Sequence, residues 1–189
     1  MNWLEWAAAA LGVVNVSLIV RRSVWNYPFG LAMVSLYFFV FFDAKLYSDA
    51  SLQIFFFVVN VYGWRSWAQA KRATGRVPVA VLSNGERLAW AAATAAVSLA
   101  LGLGMARFTD AAAPMWDAAI AGMSIAAQIL MARRRIENWV LWILVDIIAI
   151  WLFWSRGLAW TSGLYALFLM LSIAGLVDWR RALRAQAKA

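Results

Sequence analysis

The stretch LIVRRSVWNY at Leu18–Tyr27 returns 112 residues later as LMARRRIENW at Leu130–Trp139. Both copies carry adjacent arginines and, four residues after the second arginine, an asparagine followed by an aromatic residue. The same offset aligns, without a gap, a Gly-x-x-x-Trp sequence at residues 63–67 with another at residues 175–179. Apolar residues alone would match between any two membrane helices, so the polar and glycine matches are the informative ones. The chain is therefore predicted to contain two copies of one structural unit.

The composition of the chain is that of a membrane protein. Of its 189 residues, 65% are hydrophobic and 14% are charged, and the mean hydropathy is +0.72. Soluble domains average about half apolar and about a quarter charged residues, and a soluble core could not hide 13 Trp and 11 Phe. The sequence has no cysteine and no histidine, which removes thiolate nucleophiles, the commonest zinc sites and Ser-His or Cys-His catalysis. An enzyme is therefore not expected, and neither a cofactor nor a metal is predicted.

Seven segments are apolar enough for transmembrane helices, which need about 20 residues each. They are 3–20, 27–42, 51–68, 88–106, 115–132, 139–155 and 158–176. The predicted fold class is an all-α membrane protein with seven transmembrane helices in a 3+1+3 arrangement. Because a single helix separates the two copies, the first and fifth helices point the same way and the two three-helix repeats are parallel. In proteins built this way, the substrate is expected near mid-membrane between the halves.

This arrangement divides the chain into five segments. They are a first three-helix repeat at 1–68, a cytoplasmic connector at 69–87, a linker helix at 88–110, a second three-helix repeat at 111–180 and a cytoplasmic tail at 181–189. Turn chemistry is predicted in the connector at Gly75, Pro78 and the Asn84-Gly85 pair. The linker helix has no Asn, Gln or Tyr and is not expected to bind a ligand.

The basic residues predict the orientation of the chain in the membrane. One side receives only Lys45, Arg107 and Arg156, and the other side receives the remaining 14 of the 17 basic residues. The excess of Lys and Arg marks the cytoplasmic side, so the N-terminus is predicted outside and the C-terminus in the cytoplasm. This topology, with anionic-lipid contact, accounts for the net charge of +8, and no nucleic-acid partner is expected.

The polar residues inside the predicted helices are mostly uncharged donor–acceptor groups, which suit sugar hydroxyls and carboxamides. In the first half they include Asn15, Asn26, Ser35, Tyr37, Gln53 and Asn60, and in the second half Ser124, Gln128, Asn138, Asp146, Ser162, Tyr165 and Ser172. Trp142 shares a helix face with Asn138 and Asp146 and is a candidate for stacking on a flat or cationic ring. Asp146 is either a helix–helix hydrogen-bond partner or a group that contacts the ligand or couples transport. Trp64 and Trp139 are interpreted as anchors at the membrane interface.

Four sequence segments resemble the PnuC family of bacterial vitamin transporters. They are WNYPFG at Trp25–Gly30, LYSDASLQIFFFVVNVYGW at Leu46–Trp64, SIAAQILMARRRIENWVLWILVD at Ser124–Asp146 and WRRAL at Trp179–Leu183. The resemblance implies a bundle of 3+1+3 helices, a homotrimer in the inner membrane, and facilitated diffusion of nicotinamide riboside, which a cytoplasmic kinase then traps by phosphorylation.

The resemblance also implies a set of binding residues. The positions that it places in a substrate site are Gln53, Asn60, Gln128, Asn138, Trp142 and Tyr165, with Asp146 and Asn26 in structural or coupling roles. The fold alone does not choose the vitamin, so thiamine or another vitamin or nucleoside is an alternative substrate. A non-transporting membrane scaffold is the alternative of another class.

Overall fold

The computed structural model describes residues 3–43, 45, 47–109 and 113–188, and these residues form seven α-helices. The helices are α1 (Trp3–Val20), α2 (Asn26–Asp43), α3 (Tyr47–Thr74), α4 (Asn84–Phe108), α5 (Pro114–Ala132), α6 (Asn138–Ser155) and α7 (Ala159–Gln186). Within the described part of the chain, α1, α4, α5, α6 and α7 are each long and apolar enough to cross a membrane. The predicted all-helical membrane class is therefore confirmed, while the predicted segment boundary at 110/111 lies outside the described residues.

Helices α3 and α7 continue beyond the apolar segments that were predicted for them. Each has 28 residues and ends in a basic, hydrophilic stretch, so much of the predicted tail at 181–189 is helical. Hydropathy marks where a helix leaves hydrocarbon, whereas helix propensity decides where it stops, and Ala, Lys, Arg and Gln favour helix. Helix α3 ends only at Gly75, which has a φ of 72° and donates its N–H to the carbonyl of Lys71 at 2.8 Å.

The start of α4 corrects the turn that was predicted at Asn84-Gly85. These two residues are the first of the helix, and Ser83 is its N-cap. The N–H of Glu86 donates to the Ser83 hydroxyl at 3.3 Å, and the N–H of Ser83 donates to the Glu86 carboxylate at 2.7 Å. This capping box satisfies two backbone donors that would otherwise lack partners, which outweighs the turn preference of Asn-Gly.

The chain forms two compact units that do not coincide with the two sequence copies. Unit 1 consists of Met1–Val79, Ala132–Arg134 and Val177–Ala189, and in it α2 contacts both α1 and α3. Unit 2 consists of Ala80–Met131 and Arg135–Leu176. In unit 2, a methyl group on Gly122 of α5 would collide with Ser98 of α4, so glycine permits the close approach of these two helices.

The repeated stretch folds into the same turn twice, and we call these the first arginine turn (residues 18–27) and the second arginine turn (residues 130–139). Arg22 and Arg134 both have left-handed backbones, with φ of 52° and 60°. The next residue in each turn donates its N–H five residues back, from Ser23 to Leu18 at 2.9 Å and from Arg135 to Leu130 at 2.8 Å. This is a Schellman-type helix ending with arginine at the position that usually holds glycine.

An asparagine begins the helix that follows each turn. Nδ2 of Asn26 donates to the carbonyl of Ser23 at 2.7 Å, and Nδ2 of Asn138 donates to the carbonyl of Arg135 at 2.6 Å. Both asparagines are fully buried. The duplicated asparagine therefore fixes the path of the chain from one helix into the next.

The aromatic residue after each asparagine covers a glycine on another helix. A methyl group on Gly63 would lie 2.5 Å from the Tyr27 hydroxyl, and one on Gly175 would collide with the Trp139 indole. Trp139 is only 1% exposed, so its interpretation as an interface anchor is wrong. The indole is buried because Gly175 leaves a space that no larger residue would leave.

In unit 1, the two arginines reach matched positions on α3 and α7, 112 residues apart. Nη1 of Arg22 lies 2.5 Å from the Asp178 carboxylate, and Nη1 of Arg134 donates to the Ser66 hydroxyl at 2.5 Å and to its carbonyl at 3.1 Å. Beside them the fully buried rings of Trp67 and Trp179, also a matched pair, have centroids 5.9 Å apart. Within unit 1, these contacts join the C-terminal part of α7 and Arg134 to the first three helices.

Candidate functional site

Three positions on α1, α2 and α3 meet in unit 1, and we call Asn15, Gly30 and Asn60 the amide cluster. A methyl group on Gly30 would lie 3.1 Å from Oδ1 of Asn15 and 3.4 Å from Oδ1 of Asn60. Both asparagines are buried, with 8% and 3% of their surface exposed. In the described part of the chain, Oδ1 of Asn15 has no hydrogen-bond partner. The cluster thus brings two amide oxygens to one backbone position that has no side chain.

Gln53 lies seven residues before Asn60 on α3, which is about two helical turns, so the two side chains share a face. Gln53 is also buried. Unit 1 therefore places two of the predicted binding residues, both carboxamides, on one face of α3.

Asp146 and Ser172 form the polar contact of unit 2. The Ser172 hydroxyl of α7 donates to Oδ2 of Asp146 of α6 at 2.9 Å, and each residue is 3% exposed. An acid among apolar helices needs a hydrogen-bond partner because desolvation is costly. Ser172 supplies one, which is the contact expected of a helix–helix partner.

The two predicted aromatic binding residues are half-buried in unit 2. Trp142 lies one helical turn before Asp146 on α6. Tyr165 of α7 stacks on Phe153 of α6 with ring centroids 5.3 Å apart, and it meets Phe168 edge-on at 6.0 Å. These ring contacts hold Tyr165 in a fixed orientation.

Gln128 and Ser124 are buried on α5, with 8% and 7% of their surface exposed. They lie one turn apart, as their spacing of four residues predicts. Unit 2 therefore offers a carboxamide and a hydroxyl on α5, besides the Asp146–Ser172 contact.

The two remaining predicted residues, Asn26 and Asn138, belong to the arginine turns. Their side-chain nitrogens are already used by backbone carbonyls. Their Oδ1 atoms are buried and have no partner among the described residues. In this conformation each of the two asparagines therefore has a buried amide oxygen that could accept a hydrogen bond from a ligand.

A cavity of about 560 Å³ opens in unit 2 where α5 begins and α6 ends. It is lined by Ala113, Pro114, Met115, Trp116, Trp151, Leu152, Ser155 and Arg156. The Trp116 and Trp151 rings lie 5.2 Å apart, and the Arg156 guanidinium lies 3.2 Å from the Asp117 carboxylate. None of the predicted binding residues lines this cavity.

The sequence offered a signal for two positions that it did not assign, Gly30 and Ser172. The offset of 112 pairs Gly30 with Trp142 and Asn60 with Ser172, so each lies opposite a predicted binding residue in the other copy. Asn15, noted only as polar, pairs with the buried Ala127. The match between the copies therefore indicates Gly30 and Ser172 but not Asn15, whose counterpart has no polar group.

Comparison with known proteins gives consistent matches along the chain. The profile of a family described as nicotinamide mononucleotide transporter matches residues 2–181. The nicotinamide riboside transporter PnuC of Escherichia coli K12 is 28% identical over 204 residues, which cover 95% of this chain and 85% of the relative. The riboflavin/roseoflavin transporter RibM of Streptomyces davaonensis is 31% identical over 180 residues, covering 94% and 84%.

A solved structure is similar to the whole fold. The crystal structure of the vitamin B3 transporter PnuC superposes with a TM-score of 0.79 at 28% identity, covering 97% of this chain and 83% of that protein. The fold of this chain is thus similar to that of a known vitamin transporter.

Proposed function

The chain belongs to the nicotinamide mononucleotide transporter family, and from this membership we propose that it carries nicotinamide riboside into the cell across the bacterial inner membrane. The proposal is supported above all by the family match along residues 2–181 together with relatives named as nicotinamide riboside transporters. The described buried polar residues support it as well. They are Asn15, Asn26, Gln53, Asn60, Ser124, Gln128, Asn138, Asp146, Ser162 and Ser172, of which one is an acid and none is basic.

The substrate that we propose has groups that match these side chains. A ribosyl-pyridinium carries hydroxyls and a carboxamide, which hydrogen-bond to amides and serine hydroxyls. Its flat cationic ring suits an indole face. We propose that Gln53, Asn60, Gln128, Asn138, Trp142 and Tyr165 contact the substrate, with Asn26 and Asp146 in supporting roles.

We propose that the chain spans the membrane seven times as two parallel three-helix repeats joined by α4. The domain limits proposed are 1–68, 88–110 and 111–180, with the connector at 69–87 and the tail at 181–189. The N-terminus is outside and the C-terminus is cytoplasmic, since the Arg-rich ends of the helices favour the cytoplasmic side. A homotrimer is the proposed assembly.

Transport is proposed to occur by facilitated diffusion with alternating access, and cytoplasmic phosphorylation then traps the substrate. Proton-coupled carriers need titratable groups that bind and release protons during the cycle. Asp146 is the one acid in the buried polar set above, and it already accepts a hydrogen bond from Ser172. This arrangement favours a structural role for Asp146 over a coupling role.

Counterflow in proteoliposomes tests the function. Vesicles loaded with unlabelled nicotinamide riboside should accumulate the labelled compound, and a protonophore should not reduce this accumulation. Vesicles without protein are the control. Absence of counterflow would overturn the proposed substrate, whereas counterflow that the protonophore abolishes would replace facilitated diffusion by proton coupling through Asp146.

Riboflavin is the second candidate substrate because RibM is 31% identical to this chain. A tenfold excess of external riboflavin or thiamine should leave nicotinamide riboside counterflow unchanged. Strong competition by riboflavin would instead assign this chain to the specificity of RibM.

A further inference from the structure

We propose that the amide cluster of unit 1 is a subsite for a vicinal diol, in which Asn15 and Asn60 each bind one hydroxyl of the ribosyl group. This inference rests on the proposed function and adds two residues, Asn15 and Gly30, to its binding residues. The first observation is the buried Oδ1 of Asn15, which has no hydrogen-bond partner in the described structure. Buried polar atoms nearly always have partners, so an acceptor held without one is expected to receive it from a ligand.

The second observation is the convergence of two acceptors on one glycine. The amide oxygens of Asn15 and Asn60 both lie within 3.4 Å of the point that a side chain on Gly30 would occupy. They come from α1 and α3, and the glycine belongs to α2. Two neighbouring acceptors fit two neighbouring donors, and the hydroxyls of a cis-diol are such a pair. A hydroxyl both donates and accepts, so it also suits an amide group in either orientation.

The third observation is the difference between the copies at these positions. The residues 112 positions after Asn15, Gly30 and Asn60 are Ala127, Trp142 and Ser172. One copy thus supplies two carboxamides around a glycine, and the other supplies an indole and a single hydroxyl. A riboside has the same division, with a hydroxyl-rich sugar and a flat base.

Access to the subsite follows from the proposed transport cycle. Asn15 and Asn60 are 8% and 3% exposed, so the cluster is closed in this conformation. Alternating access requires the helices to separate at one stage of the cycle. The diol would then enter beside Gly30, which has no side chain of its own.

The test compares three ligands on two proteins. Nicotinamide riboside and its 2′-deoxy and 3′-deoxy analogues are titrated into the purified full-length wild type and into the Asn15→Ala variant. We expect Asn15→Ala to weaken nicotinamide riboside about tenfold, since one hydrogen bond is lost. Each deoxy analogue should bind the wild type about tenfold more weakly, and Asn15→Ala should weaken one of the two less than threefold further, because that analogue already lacks the hydroxyl that Asn15 binds.

Ser17→Ala is the matched control on the same helix. The Ser17 hydroxyl already donates to the carbonyl of Val13 at 2.7 Å, so its loss should change none of these affinities. Gly30→Ala is the second variant, and it should weaken nicotinamide riboside about tenfold because its methyl group crowds both amide oxygens.

Three results would overturn the inference. If Asn15→Ala and Gly30→Ala both bind nicotinamide riboside like the wild type, the amide cluster is not part of the binding site. Equal weakening of nicotinamide riboside and of both deoxy analogues by Asn15→Ala would show a packing role only. A wild type that does not bind nicotinamide riboside at all would instead overturn the proposed function, and the inference with it.

Discussion

The two arginine turns have the same backbone path, whereas the helices that follow them carry different side chains at matched positions. Arg22 and Arg134, Asn26 and Asn138, and the two covered glycines repeat each other's geometry. Deeper in the same helices, Gly30 is matched by Trp142, and Val34 by Asp146. Gene copies keep what folding needs and diverge where their surroundings differ. The shared turns are therefore best explained as scaffold, and we propose that the divergent positions recognise the substrate.

The largest effect is a loss of stability, expected where a glycine of the scaffold lies directly against a buried aromatic ring. Gly175→Ala should destabilise the protein by up to about 3 kcal/mol, because its methyl group would collide with the buried Trp139 indole. Thermal unfolding in detergent measures this change. Gly163→Ala on the same helix is the control, since no heavy atom lies within 4 Å of its methyl position, and it should be neutral or slightly stabilising. Equal melting temperatures for the two variants would show that the aromatic–glycine contact does not hold the scaffold together.

The next largest effect is a loss of uptake, expected at Trp142, one of the positions where the two copies differ. Trp142→Ala should lower nicotinamide riboside uptake about tenfold, which corresponds to the loss of one stacking or cation–π contact, while the folded protein still inserts. Trp154→Ala on the same helix is the control, because Trp154 is 69% exposed and outside the proposed binding set. If Trp142→Ala takes up nicotinamide riboside as well as the wild type does, the pyridinium ring of the substrate is not recognised by Trp142 of α6.

Two substitutions at Asp146 distinguish a structural role of this acid from a role in coupling transport to protons. Asp146→Asn should keep at least half of wild-type counterflow, because the amide oxygen still accepts the Ser172 hydroxyl. Asp146→Leu should destabilise the protein by about 1–3 kcal/mol, because it leaves that buried hydroxyl without its acceptor. A folded Asp146→Asn variant without counterflow would show that the acid itself takes part in transport.

The smallest effects are losses of stability in the two arginine turns, and their salt dependence should differ between the turns. Arg22→Ala should lower the free energy of unfolding by at most about 1 kcal/mol, because the ion pair with Asp178 is partly exposed. This loss of stability should be smaller in 1 M salt. Arg134→Ala should lower the free energy of unfolding by about 1 kcal/mol at any salt concentration, because the acceptors of Arg134 on Ser66 are neutral. Salt-dependent costs of the same size for both variants would mean that the two turns are stabilised in the same way.

Much of the fold could be predicted because the relevant signals are local in the sequence. Apolar length predicts the helices, and the repeated RR-x-x-x-N pattern predicts that two turns are alike. The extensions of α3 and α7 were missed because hydropathy reports the solvent around a helix and does not report where it ends. The burial of Trp139 was missed because its cause, Gly175, lies 36 residues away in sequence.

The candidate site was predicted less completely than the fold. Polarity within apolar helices pointed to Gln53, Asn60 and Gln128, which are buried. Polarity could not point to Gly30, because a glycine contributes to a site by leaving space, and only its pairing with Trp142 in the other copy marks it in the sequence. It also could not show that the amide nitrogen of Asn138 donates to a backbone carbonyl of the second arginine turn.

We propose that this duplicated scaffold recognises a riboside. A side-by-side titration of the purified full-length protein with nicotinamide riboside, thiamine and riboflavin measures this preference. We expect nicotinamide riboside to bind at least tenfold more tightly than the other two vitamins. Tighter binding of riboflavin or thiamine would show that the chain does not prefer a riboside.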